Sequence, residues 1–179
     1  MSGLSVAQHR FTAKGLYGEQ PVSAERVVSV LPLKQCVDFN TLPVGTLYPD
    51  QQTTPIANIV KINPQVLGNA SLYPIRPGVY VYKGMRTIQA RLHASAGTGG
   101  PQAQIIYFTA SDTTQKVKVT FDVTEGTIVT VSTSGVIRIG VGTGHVVEST
   151  SGGNVQLANN PNNGDRTGVV VITGICVGG

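Results

Sequence analysis

Residues 116–123 read Lys-Val-Lys-Val-Thr-Phe-Asp-Val, so that Val117, Val119, Phe121 and Val123 alternate with Lys116, Lys118, Thr120 and Asp122. A period of two places one set on each face of an extended strand, whereas a helix would scatter both sets around its axis. A chain organised around such a segment must pack one sheet face against something apolar and leave the other to water. Residues 86–94 repeat the pattern, with Ile88, Ala90, Leu92 and Ala94 on one side and Thr87, Gln89, Arg91 and His93 on the other. Further strands are expected at 26–31, 33–39, 56–62, 79–83, 102–109, 127–132, 136–141 and 167–177, about ten in all.

Composition agrees. Only 12% of residues are charged, against about 25% in an average soluble protein, and the chain holds 22 Gly and 10 Pro. Strong helix formers with i,i+4 charge pairs are nearly absent, while β-branched and turn residues abound. The connections at 96–100, 124–126 and 132–135 are short and rich in Gly, Ser and Thr. Nothing between the strands is long and amphipathic enough for a crossover helix. The expected fold is therefore all-β, an antiparallel sandwich of jelly-roll type. At 179 residues the chain can bury one real core.

Residues 1–24 mix single apolar residues with Ser, Gly and Gln at no steady period and read as an extended N-terminal arm. Residues 25–179 read as one β-sandwich domain. Within it, 40–55 is an irregular connection interrupted by Pro43, Pro49 and Pro55, and 149–168 is a long polar loop rich in Asn, Gly and Ser. The last strand, from Gly168, is apolar on both faces for much of its length, so it belongs in the middle of a sheet or under a partner.

The motifs that suggest chemistry fail their context tests. Gly140-Val141-Gly142-Thr143-Gly144-His145 looks like a phosphate-cradling loop, but no helix starts after the glycines to aim amides at a phosphate, and a β-turn or bulge is expected there. His9, His93 and His145 have no second ligand at i+2 or i+4, and no G-x-S-x-G elbow exists. No catalytic, cofactor or metal residues are expected. The alternative, an enzyme with a spatially assembled site, would draw on His93, His145 or Asp165. Cys36 and Cys176 read as two small buried thiols; a disulfide between them would instead tie the first strand region to the last and imply an oxidising compartment. The triplet Asn69-Ala70-Ser71 fits a glycosylation sequon and is read as chance.

The net charge of +4 comes from Lys and Arg scattered singly between Arg10 and Arg166, which is no footprint for nucleic acid. An RNA-packaging coat would carry a basic N-terminal run, and the first 24 residues hold only Arg10 and Lys14 as basic side chains apart from His9. The N-terminus lacks the sustained apolar stretch of a secretory signal, and no 18-residue apolar run offers a membrane helix.

Residues 85–141, with the cadence MetArgThrIleGlnAlaArgLeuHisAla, LysValLysValThrPheAspVal and GlyThrIleValThrValSerThrSerGlyValIleArgIleGlyVal, resemble jelly-roll domains shared by carbohydrate-binding modules and phage virion proteins. Low charge, Thr/Val/Gly richness and the arm make the likeness closer to capsid decoration (cement) proteins. That resemblance implies a virion component that stabilises the head by protein–protein binding, with the major capsid protein or other virion proteins as partners. It also implies a homo-oligomer, with a trimer favoured, located in the virion after assembly in the host cytoplasm. Leu4, Val6, Phe11, Leu16 and Tyr17 would form the arm's interface. Asn154, Asn159, Asn160, Asn162, Asn163, Asp165 and Arg166 would make contacts from the polar loop. The alternative is a carbohydrate-binding module or a tail-fibre-type receptor-binding domain with a glycan as ligand. Such modules stack sugars on aromatic faces, and this chain has no Trp; Tyr80, Tyr82 and Tyr107 could serve, although Tyr80 and Tyr82 read as packing on a short strand.

Overall fold

The structure, a computed structural model, describes residues 8–29, 33–67, 76–97, 100–132, 135–159 and 167–178. The chain divides into an N-terminal unit up to Leu33 and a body, Lys34–Gly178. The N-terminal unit is an antiparallel pair, β1 (Gln8–Tyr17) and β2 (Gln20–Ser29). The irregular arm expected over 1–24 is thus a hairpin over 8–29, and the boundary falls at Leu33. Alternation was hidden because Leu16 falls out of phase with Phe11, Ala13 and Tyr17, and the matching residues sit on the other strand.

Among the described residues, ten strands build the body. They are β3 (Gln35–Cys36), β4 (Thr54–Ile56), β5 (Val60–Leu67), β6 (Gly78–Tyr82) and β7 (Met85–Gly97), followed by β8 (Gly100–Ala110), β9 (Val117–Ser132), β10 (Gly135–Glu148), β11 (Asn154–Ala158) and β12 (Thr167–Val177). Every pairing is antiparallel. Among the described residues there is no α-helix, only a 3-10 turn at Phe39–Thr41, where the Asp38 carboxylate caps the Asn40 amide at 3.0 Å. The strand expected at 33–39 therefore shrinks to β3 and this turn. The strand expected at 56–62 is instead split by a tight turn with Ala57 and Asn58 at φ 50° and 58°, which folds β4 back on β5.

The alternating segment lies in β9, which organises the body. Val123 pairs with Gly142 of β10 on one edge and Val170 of β12 on the other; Thr130 pairs with Ile137 of β10 and Leu157 of β11. β10 thus occupies one edge of β9 throughout, while β12 and then β11 share the opposite edge. The switch falls at Thr124–Gly126, where the register slips and the buried positions change phase from Val117, Val119, Phe121 and Val123 to Ile128 and Thr130. The expected turn at 124–126 is therefore a bulge inside one continuous strand. Glycine is needed there twice: Gly126 has φ 68° and faces Gly168, and a Cβ on either would run into backbone, that of Thr167 or Thr127 respectively.

From this fork the sheet curls into a jelly-roll-like, all-β sandwich around one core. β12 also pairs with β7, β7 with β8 near their hairpin tip, and β8 with β11, so five strands form a closed circuit of ladders. β12 comes close to β5 although the two share no ladder. Phe108, Phe121, Ile62, Leu92, Ile106, Leu157 and Ile172 fill the space between, all essentially inaccessible to water. β12 lies between β9 and β7, as its two apolar faces require: Val170, Ile172, Ile175 and Val177 enter the core, while Val169 on the other face is flanked by Arg91 and Glu125. Those two side chains meet over it in a bidentate ion pair at 2.9 and 3.0 Å.

Where the ladders of the circuit diverge, side chains replace backbone partners. Asn159, only 3% exposed, donates from Nδ2 to the carbonyls of Leu92 (3.3 Å) and Thr127 (3.0 Å). The Gln104 side chain accepts from the His93 amide at 3.0 Å, and the Asn159 amide donates to the Gln104 carbonyl at 3.3 Å. Two buried amides thereby satisfy groups that the forked sheet would otherwise leave unpaired.

Cys36 and Cys176 are not free thiols. β3 pairs with β12 so that the two residues stand directly opposite, with a Cα–Cα distance of 4.0 Å, and they form a disulfide.

Candidate assembly surfaces

In the hairpin, a two-residue turn at Gly18 and Glu19 joins the strands, with Gly18 at φ 65° in the first turn position, as hairpins of this length favour. The register, with Phe11 opposite Arg26, Ala13 opposite Ala24 and Tyr17 opposite Gln20, sorts the side chains. Phe11, Ala13, Tyr17, Val22, Ala24 and Val28 share one face, interrupted by Arg26. The other carries Arg10, Thr12, Lys14, Ser23 and Glu25 along with Leu16, Pro21 and Val27, with an Arg10–Glu25 ion pair at 3.3 Å. The apolar face is open: Phe11 is 49% and Tyr17 82% exposed.

Phe11 and Tyr17 of the expected interface therefore sit together. Leu16, 72% exposed, projects from the opposite face, and Leu4 and Val6 lie outside the described residues. Val22 and Val28 complete the apolar face and were missed, because their alternation shows only when β2 is laid against β1.

β10 offers a second exposed region. Among the described residues it pairs only with β9, and Val136, Ile137, Val141 and Val146 are exposed along it. The glycine-rich stretch 140–145 lies inside this strand as an irregular bulge, with register shifts on either side of Gly142. Its geometry follows from His145, whose ring packs 5.7 Å from that of Phe121 and leaves no room for a Cβ on Gly142.

The polar loop expected over 149–168 is not one loop. Val155 and Leu157 are buried, and β11 runs through its middle between β8 and β9. Two apolar residues spaced by two gave too short a period to stand out among Asn and Gly. Asn154 is exposed at the start of β11. Asn159 points into the body rather than outward, where it serves the sheet fork. Asn160, Asn162, Asn163, Asp165 and Arg166 lie outside the described residues.

The chain matches no protein-family model and no curated protein.

His93 Nδ1 on β7 is 3.1 Å from the Thr167 hydroxyl, and the His145 ring on β10 lies tilted at 39° to that of Phe121. Asp165 lies outside the described residues. No group of three or more His, Cys, Asp or Glu side chains among the described residues could hold a metal ion. Hydrogen bonds from the Thr114 hydroxyl and amide to the Asp112 carboxylate lower its pKa, and burial raises that of Tyr48. The Tyr80 hydroxyl donates to the Arg76 carbonyl at 2.9 Å, and the Lys83 ammonium sits 5.1 Å from the centre of the Tyr82 ring. Among the described residues no helix is long and apolar enough to cross a membrane.

Proposed function

We propose that this chain is a virion structural component of the capsid-decoration type, which works by protein–protein binding. The observation that carries the reading is the hairpin's open apolar face of Phe11, Tyr17, Val22 and Val28, on a unit distinct from the body. A two-stranded hairpin is at best marginally stable in water and gains from having one face covered. Covering the remaining half of Phe11, Val22 and Val28 contributes about 1 kcal/mol apiece. A separate unit of this kind enlarges an interface without enlarging the core, and a stable contact needs roughly 1,200–2,000 Å² in total. The covering surface is assigned to a sister subunit or the major capsid protein, with a trimer as the expected homo-oligomer.

Light scattering on the full chain and on a chain lacking residues 1–33, together with sedimentation of each with shells stripped of the protein, tests the reading. The full chain should be oligomeric and should co-sediment; the shortened chain should be monomeric and remain in the supernatant. A monomeric full chain, or attachment unchanged by the deletion, overturns it.

A further inference from the structure

The outward face of the three strands β5, β8 and β11 differs in chemistry from the other outward positions of the body. On β9, Lys118 stands opposite Glu148 and Glu125 pairs with Arg91, and β10 carries exposed apolar residues such as Val136 and Val141. Here the register aligns Asn63 of β5, Tyr107 of β8 and Gln156 of β11 in one row, directly paired across the ladders. The residues on either side of each in sequence, such as Ile62, Ile106, Phe108, Val155 and Leu157, are buried, so this row stands on the solvent side of a rigid, core-backed sheet. Outer strands of the trio are about 10 Å apart, which makes the row wide enough for an extended ligand rather than a single small group.

The amides on this face are already oriented. Gln65 Nε2 donates to Asn63 Oδ1 at 2.6 Å, Asn63 Nδ2 donates to the Thr53 hydroxyl at 3.0 Å, and Gln156 Nε2 donates to Asn154 Oδ1 at 3.2 Å. Each amide retains at least one further donor or acceptor for a ligand after these bonds. Together with Lys61, Tyr107 and Thr109, the Thr53–Asn63–Gln65 group lines an open depression of about 360 Å³. That is toward the lower end of the volumes of small-ligand sites. Tyr107 is half-buried at its edge, and among the described residues its hydroxyl makes no hydrogen bond.

We infer that this face is a binding site for a neutral oligosaccharide, with Tyr107 as the platform for a sugar ring and the Asn63, Gln65 and Gln156 amides as partners for its hydroxyls. The chemistry selects the ligand class. Hydroxyls are both donors and acceptors, and so are primary amides; a ring's C–H face matches the apolar face of a tyrosine. A phosphate or sulfate would call for several cations, and Lys61 is the one cation lining the depression. A metal or ammonium ligand would call for carboxylates, and none lines it. Preoriented side chains on strands lower the cost of ordering a binding site, and shallow, polar sites of this type bind through bridging waters as well as direct bonds.

The test is titration of the full-length protein with maltohexaose, cellohexaose, xylohexaose, mannohexaose and chitohexaose, and with a heparin hexasaccharide as the acidic probe, followed by ligand-detected NMR and calorimetry. At least one neutral hexasaccharide should bind. Tyr107→Ala should weaken that binding about tenfold or more and Tyr107→Phe by less than about threefold, because the ring is kept. Gln156→Ala, on the exposed side of the sheet, should weaken it with no change in thermal midpoint, which separates recognition from folding. Binding of none of the neutral probes overturns the inference. So does neutral binding that survives both Tyr107→Ala and Gln156→Ala, or retention of heparin alone with loss on Lys61→Ala.

Discussion

Replacing Asn159 by alanine probes the fork in the sheet at its most exacting point. The Asn159 side-chain amide is buried and donates to two carbonyls, those of Leu92 on β7 and Thr127 on β9. Alanine leaves both acceptors facing an apolar interior with no replacement. An unsatisfied buried polar group costs about 1–3 kcal/mol. With one of the two bonds at 3.3 Å and the other at 3.0 Å, the shorter carries the larger share, and a combined loss of about 2–4 kcal/mol is expected. For a body of this size each kcal/mol shifts the thermal midpoint by about 2–4 °C, so the midpoint should fall by roughly 6–12 °C for a loss of about 3 kcal/mol. Urea unfolding followed by circular dichroism gives the free energy, and an unchanged m-value shows that the surface exposed on unfolding is the same. Asn159→Asp should be at least as damaging, because a carboxylate cannot donate to either carbonyl. Asn154→Ala, at the exposed start of β11, should stay within about 0.5 kcal/mol. The reasoning fails if Asn159→Ala costs less than about 0.5 kcal/mol, or if Asn159→Asp matches the parent protein.

Three further perturbations follow from the same ladders. The disulfide closes a loop with a sequence separation of 140, for which the chain-entropy relation gives about 5 kcal/mol, so reduction or the double change Cys36→Ser/Cys176→Ser should lower the urea midpoint substantially; equal midpoints with and without reductant would refute this. Gly168→Ala forces a Cβ against the Thr127 carbonyl and should cost about 1–3 kcal/mol, whereas Gly140→Ala, with open space around it, should be close to neutral. Comparative urea curves decide between them. Burial raises the Tyr48 pKa above its unfolded value, so the native state holds that proton more tightly: the associated stability is intact below about pH 10 and is lost as pH rises through the folded value. Unfolding curves at successive alkaline pH values should therefore show a steeper decline for the parent than for Tyr48→Phe, and identical slopes would count against the assignment.

Strand character was legible wherever an apolar residue recurred at every second position over eight residues, as in 116–123 and 86–94. It was illegible where the partner strand supplied half the information. The hairpin's apolar face joins Phe11 and Ala13 to Val22 and Ala24, and no window along one strand contains both sets. β11 was hidden for a related reason: Val155 and Leu157 alone mark its inner face, and the surrounding Asn and Gly satisfy every expectation of a loop. The bulge at Thr124–Gly126 was mistaken for a chain reversal because glycine serves both geometries. Asn159 shows the limit most clearly, since the need it meets arises from the meeting of β7, β9 and β11, and no short-range pattern encodes a gap between ladders. Of the candidate functional residues, Phe11 and Tyr17 were found from sequence and share a face, whereas the amide row of Asn63, Tyr107 and Gln156 exists only once β5, β8 and β11 lie side by side.

The pairing of β3 with β12 has a practical corollary. It brings the entry and exit of the body, at Lys34 and Gly178, to one corner of the sandwich, within a few residues of the Cys36–Cys176 bridge. A module whose two ends emerge side by side can be spliced into an exposed loop of an unrelated carrier protein, with neither the carrier nor the guest having to stretch. The body can thus be treated as a cartridge: inserted, displayed in many copies on a scaffold, or reconnected end to end by a short linker and reopened at another surface turn, with its ladders left intact.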